Sequence, residues 1–148
     1  MKIEIGESLI YSWLCHVKKC RIVQTNWKPS KKWSLFERDR LEMLVQETKK
    51  YFRGEYDHHI YKDNKGLSQL LKQAEIDVLG IDMTDTVDTY IAIDVAFHLG
   101  GTDHGSRKET VERIIKKLLR STLCLHGYLG ISSGEVIFAS PKIGPAIV

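Results

Sequence analysis

The segment 75–98 reads Glu-Ile-Asp-Val-Leu-Gly-Ile-Asp-Met, a polar turn, then Thr-Tyr-Ile-Ala-Ile-Asp-Val-Ala-Phe-His. Short apolar runs separated by Asp82, Thr84, Asp85, Thr86 and Asp88 predict two strands joined by a hairpin turn. Ile76, Val78, Leu79 and Ile81 build the first strand, and Tyr90, Ile91, Ile93, Val95 and Phe97 the second. What constrains this chain most is a carboxylate inside each strand: Asp77 among Ile and Val, and Asp94 between Ile93 and Val95. Aspartate is depleted in strands. A buried carboxylate is costly unless it is paired, hydrogen-bonded or metal-bound. A pair on neighbouring strands predicts a metal site, and hard cations such as magnesium take oxygen ligands. Alternation places Asp94, Ala96 and His98 on one face, and Ile93, Val95 and Phe97 on the other, which is the predicted core face. The plainer alternative is that both acids lie near strand ends and are solvated.

Taken with the preceding helix, this pair resembles the PD-(D/E)XK nuclease superfamily, the restriction-endonuclease-like enzymes. Members place a helix bearing a Glu before the sheet, then an Asp, then (Asp/Glu)-x-Lys on adjacent strands. Glu7, in Gly6-Glu7-Ser8-Leu9-Ile10, matches the helix Glu; Asp77 matches the first acid and Asp94 the second. Ile76 stands before Asp77 where Pro is usual, and Ala96 occupies the Lys position. The likeness runs from about residue 5 to 142 through the order of elements. It implies a Mg2+- or Mn2+-dependent endonuclease hydrolysing phosphodiester bonds of nucleic acid, with DNA the expected polymer. In that scheme Asp77 and Asp94 hold the metal, and Glu7 ligates it through water or orients the nucleophile. His98, facing the same way as Ala96, stands in for the Lys as proton acceptor or phosphate contact, since imidazole titrates near neutrality. Ala96 also implies an alternative: a nuclease-like module without catalysis that binds nucleic acid or a protein partner. A third reading is a structural or regulatory domain of a larger protein.

Around this centre the predicted order is helix, strand, helix, short helix, strand, strand, helix, strand. That is an α/β (α+β) fold: a central mixed sheet of about four strands flanked by helices. Leu9, Ile10, Trp13, Leu14 and Val17 recur at helical spacing over 5–19. Glu7 in the first turn also suits the helix dipole without any further role. Residues 21–26 predict a strand. Leu41, Leu44, Val45, Thr48 and Phe52 predict a helix over 35–52, capped by Ser34, with a solvated outer face of mixed charge. This helix is an insertion relative to the minimal nuclease pattern. Residues 54–65 predict a loop or short hairpin, and 67–74 a short helix. Val111, Ile114, Ile115, Leu118, Leu119, Thr122 and Leu123 predict a helix over 106–126 capped by Ser106. Residues 128–133 predict a turn and 135–140 a strand.

Two basic segments are candidate nucleic-acid contacts. Trp27 to Ser34 interleaves Lys28, Lys31 and Lys32 with Trp27 and Trp33. Lysines neutralise phosphates and tryptophans stack on bases, although a solvated loop anchored by its tryptophans explains the same composition. The long helix carries Lys116, Lys117 and Arg120 close together, with Arg107, Lys108 and Arg113 before them. A solvated basic helix is the simpler account there too. His58-His59 is a weak metal candidate, because adjacent strand residues point to opposite faces. His98, Asp103 and His104 form a second candidate polar cluster, three ligands of the four, or three with water, that a zinc site needs, although a turn at Asp103 explains it as simply.

The 148 residues fit one domain, 1–148, expected to be the N-terminal part of a longer protein because the sequence stops on an apolar run. The net charge of +3 permits nucleic-acid binding without arguing for it. No apolar run is long enough for a bilayer and no signal-peptide pattern is present, so no membrane partner and a cytoplasmic location are expected. Cys15, Cys20 and Cys124 have no CxxC spacing and read as buried thiols. Oligomeric state is left open.

Overall fold

The computed structural model describes residues 4–62, 66–97 and 105–141. In chain order these form α1 (Ile5–His16), β1 (Ile22–Trp27), α2 (Arg38–Tyr56), α3 (Leu67–Lys72), β2 (Ile76–Asp82), β3 (Thr89–Val95), α4 (Arg107–Leu129) and β4 (Gly134–Ala139). This is the predicted order of elements.

The predicted hairpin is the centre of the sheet. β2 and β3 pair antiparallel, from Val78 opposite Ile93 to Asp82 opposite Thr89. Its turn is held by Asp82 Oδ1, which accepts from the Thr84 N–H at 2.9 Å and from the Thr84 hydroxyl at 2.6 Å. β1 adds antiparallel to β2, and β4 adds parallel to β3, giving a mixed sheet of order β1-β2-β3-β4. Parallel neighbours cannot be joined by a tight turn, and α4 lies in the crossover between them.

Both sheet faces are covered. Val78, Ile91 and Ile93 pack with Leu14 of α1 and with Cys20. The helix comes close enough that a Cβ on Gly80 would lie 3.0 Å from Cys20 Sγ and 3.1 Å from a Leu14 methyl. On the other face Leu79 and Ala92 join Leu41, Leu70, Leu71, Leu123 and Cys124 in a larger core beneath α2, α3 and α4. The acid-bearing face of β3 is thus no open polar surface: Asp94 is 2 % exposed and Ala96 5 %. Solvation at a strand end does not describe Asp94.

Several boundaries differ from expectation. α1 ends at His16, and Lys19, with φ 57°, turns the chain into β1. α2 begins at Arg38 without a Ser34 cap; Glu37, at φ 47°, precedes it. It runs on to Tyr56, through part of the segment predicted as loop. α4 likewise extends past His126 to Leu129, where Gly130 closes it at φ 65°. This left-handed stop favours glycine. Its N-terminus is as predicted: Ser106 and Glu109 form a capping box. Cys20 and Cys124 are buried free thiols, and Cys15 is half-buried. Among the described residues no helix is long and apolar enough to cross a membrane.

Candidate functional site

The register of the sheet gathers the predicted acids at one end. Val78 opposite Ile93 is the outermost pair of the β2–β3 ladder, so the next residues outward are Asp77 and Asp94. The Asp77 carboxylate reaches across, its Oδ2 accepting from the Val95 N–H at 2.7 Å. In the β1–β2 ladder, Thr25 faces Val78 and Trp27 faces Ile76, which puts Asn26 opposite Asp77. Asn26 has φ 52°, a left-handed conformation that Asn tolerates better than most residues. Its side chain hydrogen-bonds Glu7. Glu7 lies in the first turn of α1, half-buried.

The electrostatics bind these groups into one cluster. Burial first, then the charges of Asp77, Glu4 and Glu75, raise the Glu7 carboxyl above its ordinary value, against the hydrogen bond from Asn26. Burial also dominates at Asp94 and pushes its carboxyl up to about 6, with Asp77 adding to the rise. The Ser121 hydroxyl donates to Asp94 Oδ2 at 2.9 Å. That bond, together with the charges of Lys117 and Arg120, pulls the other way. Asp77 therefore acts on Glu7 from the α1 side and on Asp94 from the α4 side. A carboxylate buried this deeply, with no ion pair among the described residues, is what an added cation would relieve.

The cations come from α4. Lys117, Arg120, Ser121 and Cys124 recur at helical spacing and share one face. Arg120 Nε is buried with no hydrogen-bond partner among the described residues, and a buried orphan donor is costly. Burial pushes the neighbouring Cys124 thiol up to about 12, so it is no nucleophile at neutral pH. Ala96, at the expected Lys position, is buried, and its N–H donates to the Ala139 carbonyl at 2.9 Å. The cations that act on Asp94 belong to α4. Asn26, Ser121 and the closeness of Lys117 and Arg120 to Asp94 were not identified from sequence. Only the i, i+3, i+4 spacing on α4 and an Asn at a strand end could have indicated them.

The other candidates disperse. His98, Asp103 and His104 lie outside the described residues. His58 and His59 take different acids: His58 Nδ1 lies 3.7 Å from Glu112, and His59 Nε2 3.7 Å from Asp57. The predicted basic patch of α4 is divided. Lys108 pairs with Asp57 at 2.9 Å, Arg113 and Lys116 line a cleft with His59 and Lys62, and Lys117 and Arg120 act on Asp94 through their charge. Lys28 pairs with Glu75 at 3.3 Å, while Lys31 and Lys32 are exposed. Trp27 is buried, as an anchor should be, but Trp33 remains 49 % exposed.

Among the described residues, no group of three or more His, Cys, Asp or Glu is arranged to hold a metal ion. Magnesium commonly takes only one or two protein carboxylates and completes its shell with water and phosphate. Asp77 and Asp94 supply two carboxylates, the number such a site uses, and not the ligand set of a closed, all-protein cage. Compared with family models, curated proteins and solved structures, the chain gives no significant match.

Proposed function

We propose that this chain is a Mg2+- or Mn2+-dependent phosphodiesterase acting on nucleic acid, with DNA as the polymer, on a restriction-endonuclease-like PD-(D/E)XK core. The observation that carries the reading is the pairing of Asp77 with the buried Asp94 at one end of the sheet, with Lys117 and Arg120 acting on Asp94 from α4. The order of elements supports it: a Glu-bearing helix, two adjacent acid-bearing strands, then a helix packed on the sheet.

Asp77 and Asp94 would hold the cation, which when bound supplies charge neutralisation at phosphate and a more acidic water. The Ser121 hydroxyl fixes the Asp94 carboxylate. Glu7, oriented by Asn26, is placed to accept a proton from an attacking water, and its raised affinity for protons suits that task. Lys117 takes the role of the lysine missing at Ala96. Arg120, whose charge acts on Asp94, would donate from its guanidinium to a phosphate oxygen. His98 remains a second candidate for the lysine's role.

The test is calorimetric titration with Mn2+, followed by cleavage of single- and double-stranded DNA. The parent chain should bind the ion and cut; Asp94→Ala should do neither. Cleavage undiminished in both Asp77→Ala and Asp94→Ala would sink the assignment. Ala96 favours a second reading, a module that binds nucleic acid without cutting it. Salt-sensitive DNA binding with no metal-dependent turnover would select that one.

A further inference from the structure

A cavity of about 670 Å3 opens beside the acidic end of the sheet, between the segment after β1, the start of α2, and α3. Its volume lies in the range of small-ligand sites, roughly 300–1,000 Å3. The charged side chains lining it are Lys28, Lys31, Arg38 and Lys72, all cationic. In a chain with 22 basic and 19 acidic residues, this wall carries charge of one sign. Lys28 and Arg38 are partly engaged, with Glu75 at 3.3 Å and with Glu42 at 3.2 Å. Lys31 and Lys72 are exposed and have no ion-pair partner among the described residues. The apolar lining includes Trp33 and Tyr128, whose ring centroids lie 6.3 Å apart at 55°. Trp33 keeps 49 % of its surface exposed although it also leans on the buried Trp27. A large exposed indole beside unpaired lysines is suited to a ligand that is flat and aromatic at one end and anionic at the other.

Its place in the fold narrows the ligand further. Ala74 lines the cavity, and Asp77 follows three residues later, at most about 11 Å along the chain. We infer that the cavity receives one unpaired nucleotide of a single strand, its base against Trp33 and Tyr128 and its phosphate on Lys31 and Lys72. Duplex DNA cannot offer a free base face without unstacking, so the site selects single-stranded or locally opened substrate. The inference rests on the proposed nuclease reading for the kind of polymer, whereas its chemistry requires no metal.

The experiment is therefore run in EDTA. Fluorescence anisotropy of a short labelled single-stranded DNA is measured on the full chain, with a duplex of the same sequence and adenosine monophosphate as competitors. The single strand should bind, and the duplex should compete at least about tenfold less well. Trp33→Ala should weaken binding by about tenfold or more, the scale of one lost base stack, and Trp33→Phe should restore most of it. Lys72→Glu should weaken binding and flatten its salt dependence. Equal affinity of Trp33→Ala and the parent, or tighter binding of the duplex, would overturn the inference. So would a monophosphate binding as tightly as the oligomer, which would assign the cavity to a free nucleotide. Intact binding without cleavage fails only the nuclease reading; cleavage with binding indifferent to Trp33 and Lys72 fails only this one.

Discussion

At Asp94 the fold holds a carboxylate against its preference for water, and the pH dependence of that residue follows directly. Its folded value of about 6 lies above the ordinary 3.8, so folding takes up a proton between these limits. Its contribution therefore favours the folded state fully below the lower value and is lost as pH rises through the upper one. At pH 7 the ionised form costs about 3 kcal/mol relative to the neutral one. Asp94→Asn keeps an acceptor for Ser121 and removes the charge, so we expect a higher melting temperature than the parent at pH 7 and no stabilisation by Mn2+. Calorimetric melts with and without the ion measure both. Glu112 has the opposite sign. It is only 5 % exposed. Burial alone would raise its carboxyl, but the His59 N–H at 2.9 Å and the charges of Lys62, Lys108 and His58 outweigh it and hold the group below 4.5. Its contribution is present above that value and lost as pH falls through the lower folded one. Melts from pH 4 to pH 8 should accordingly peak on the acid side of neutrality, and in Glu112→Ala stability should fall by about 1–3 kcal/mol at pH 7.

Among the elements, α4 does the most. It covers the acid-bearing face of the sheet, supplies Ser121, Lys117 and Arg120 to Asp94, and sets where α2 begins. The Phe36 N–H donates to the Gly127 carbonyl at 2.7 Å, and the Glu37 carboxylate lies 2.8 Å from His126 Nε2. These contacts pull the chain off a helical path until Arg38, which is why Ser34 caps nothing. Gly127 permits the approach, since a Cβ there would stand 2.7 Å from a Leu41 methyl and 2.8 Å from a Leu35 methyl. We expect Gly127→Ala to separate α2 from α4 and to cost about 1–3 kcal/mol in urea denaturation despite its better helix propensity. The same contrast explains what could be read from the chain. The hairpin, the order of elements and the Ser106 cap are local, so period and turn chemistry reveal them. The α2 start, the packing of α4 over the Asp94 face, the positive φ of Asn26 and the division of the α4 cations depend on contacts distant in sequence. No local pattern encodes those.

For the molecule as a whole, the strand order separates near from far. β2 and β3 are joined by a tight turn, whereas β1 reaches β2 across two helices and β4 reaches β3 across α4. Contacts close in sequence form at the smallest loop-closure cost. The Asp82–Thr84 turn should therefore belong to the folding nucleus and the β4 edge should not. In stopped-flow chevrons, Thr84→Ala should mainly slow folding, and Ile137→Val should mainly speed unfolding. The site inherits this history. On this order Asp77 and Asp94 should meet while both are still in water, and the transfer of Asp94 into the interior should wait for α4 to dock. A proton on Asp94 should then leave the refolding limb almost unmoved between pH 7 and pH 5 and slow the unfolding limb, so the resting lifetime of the native chain lengthens in mild acid.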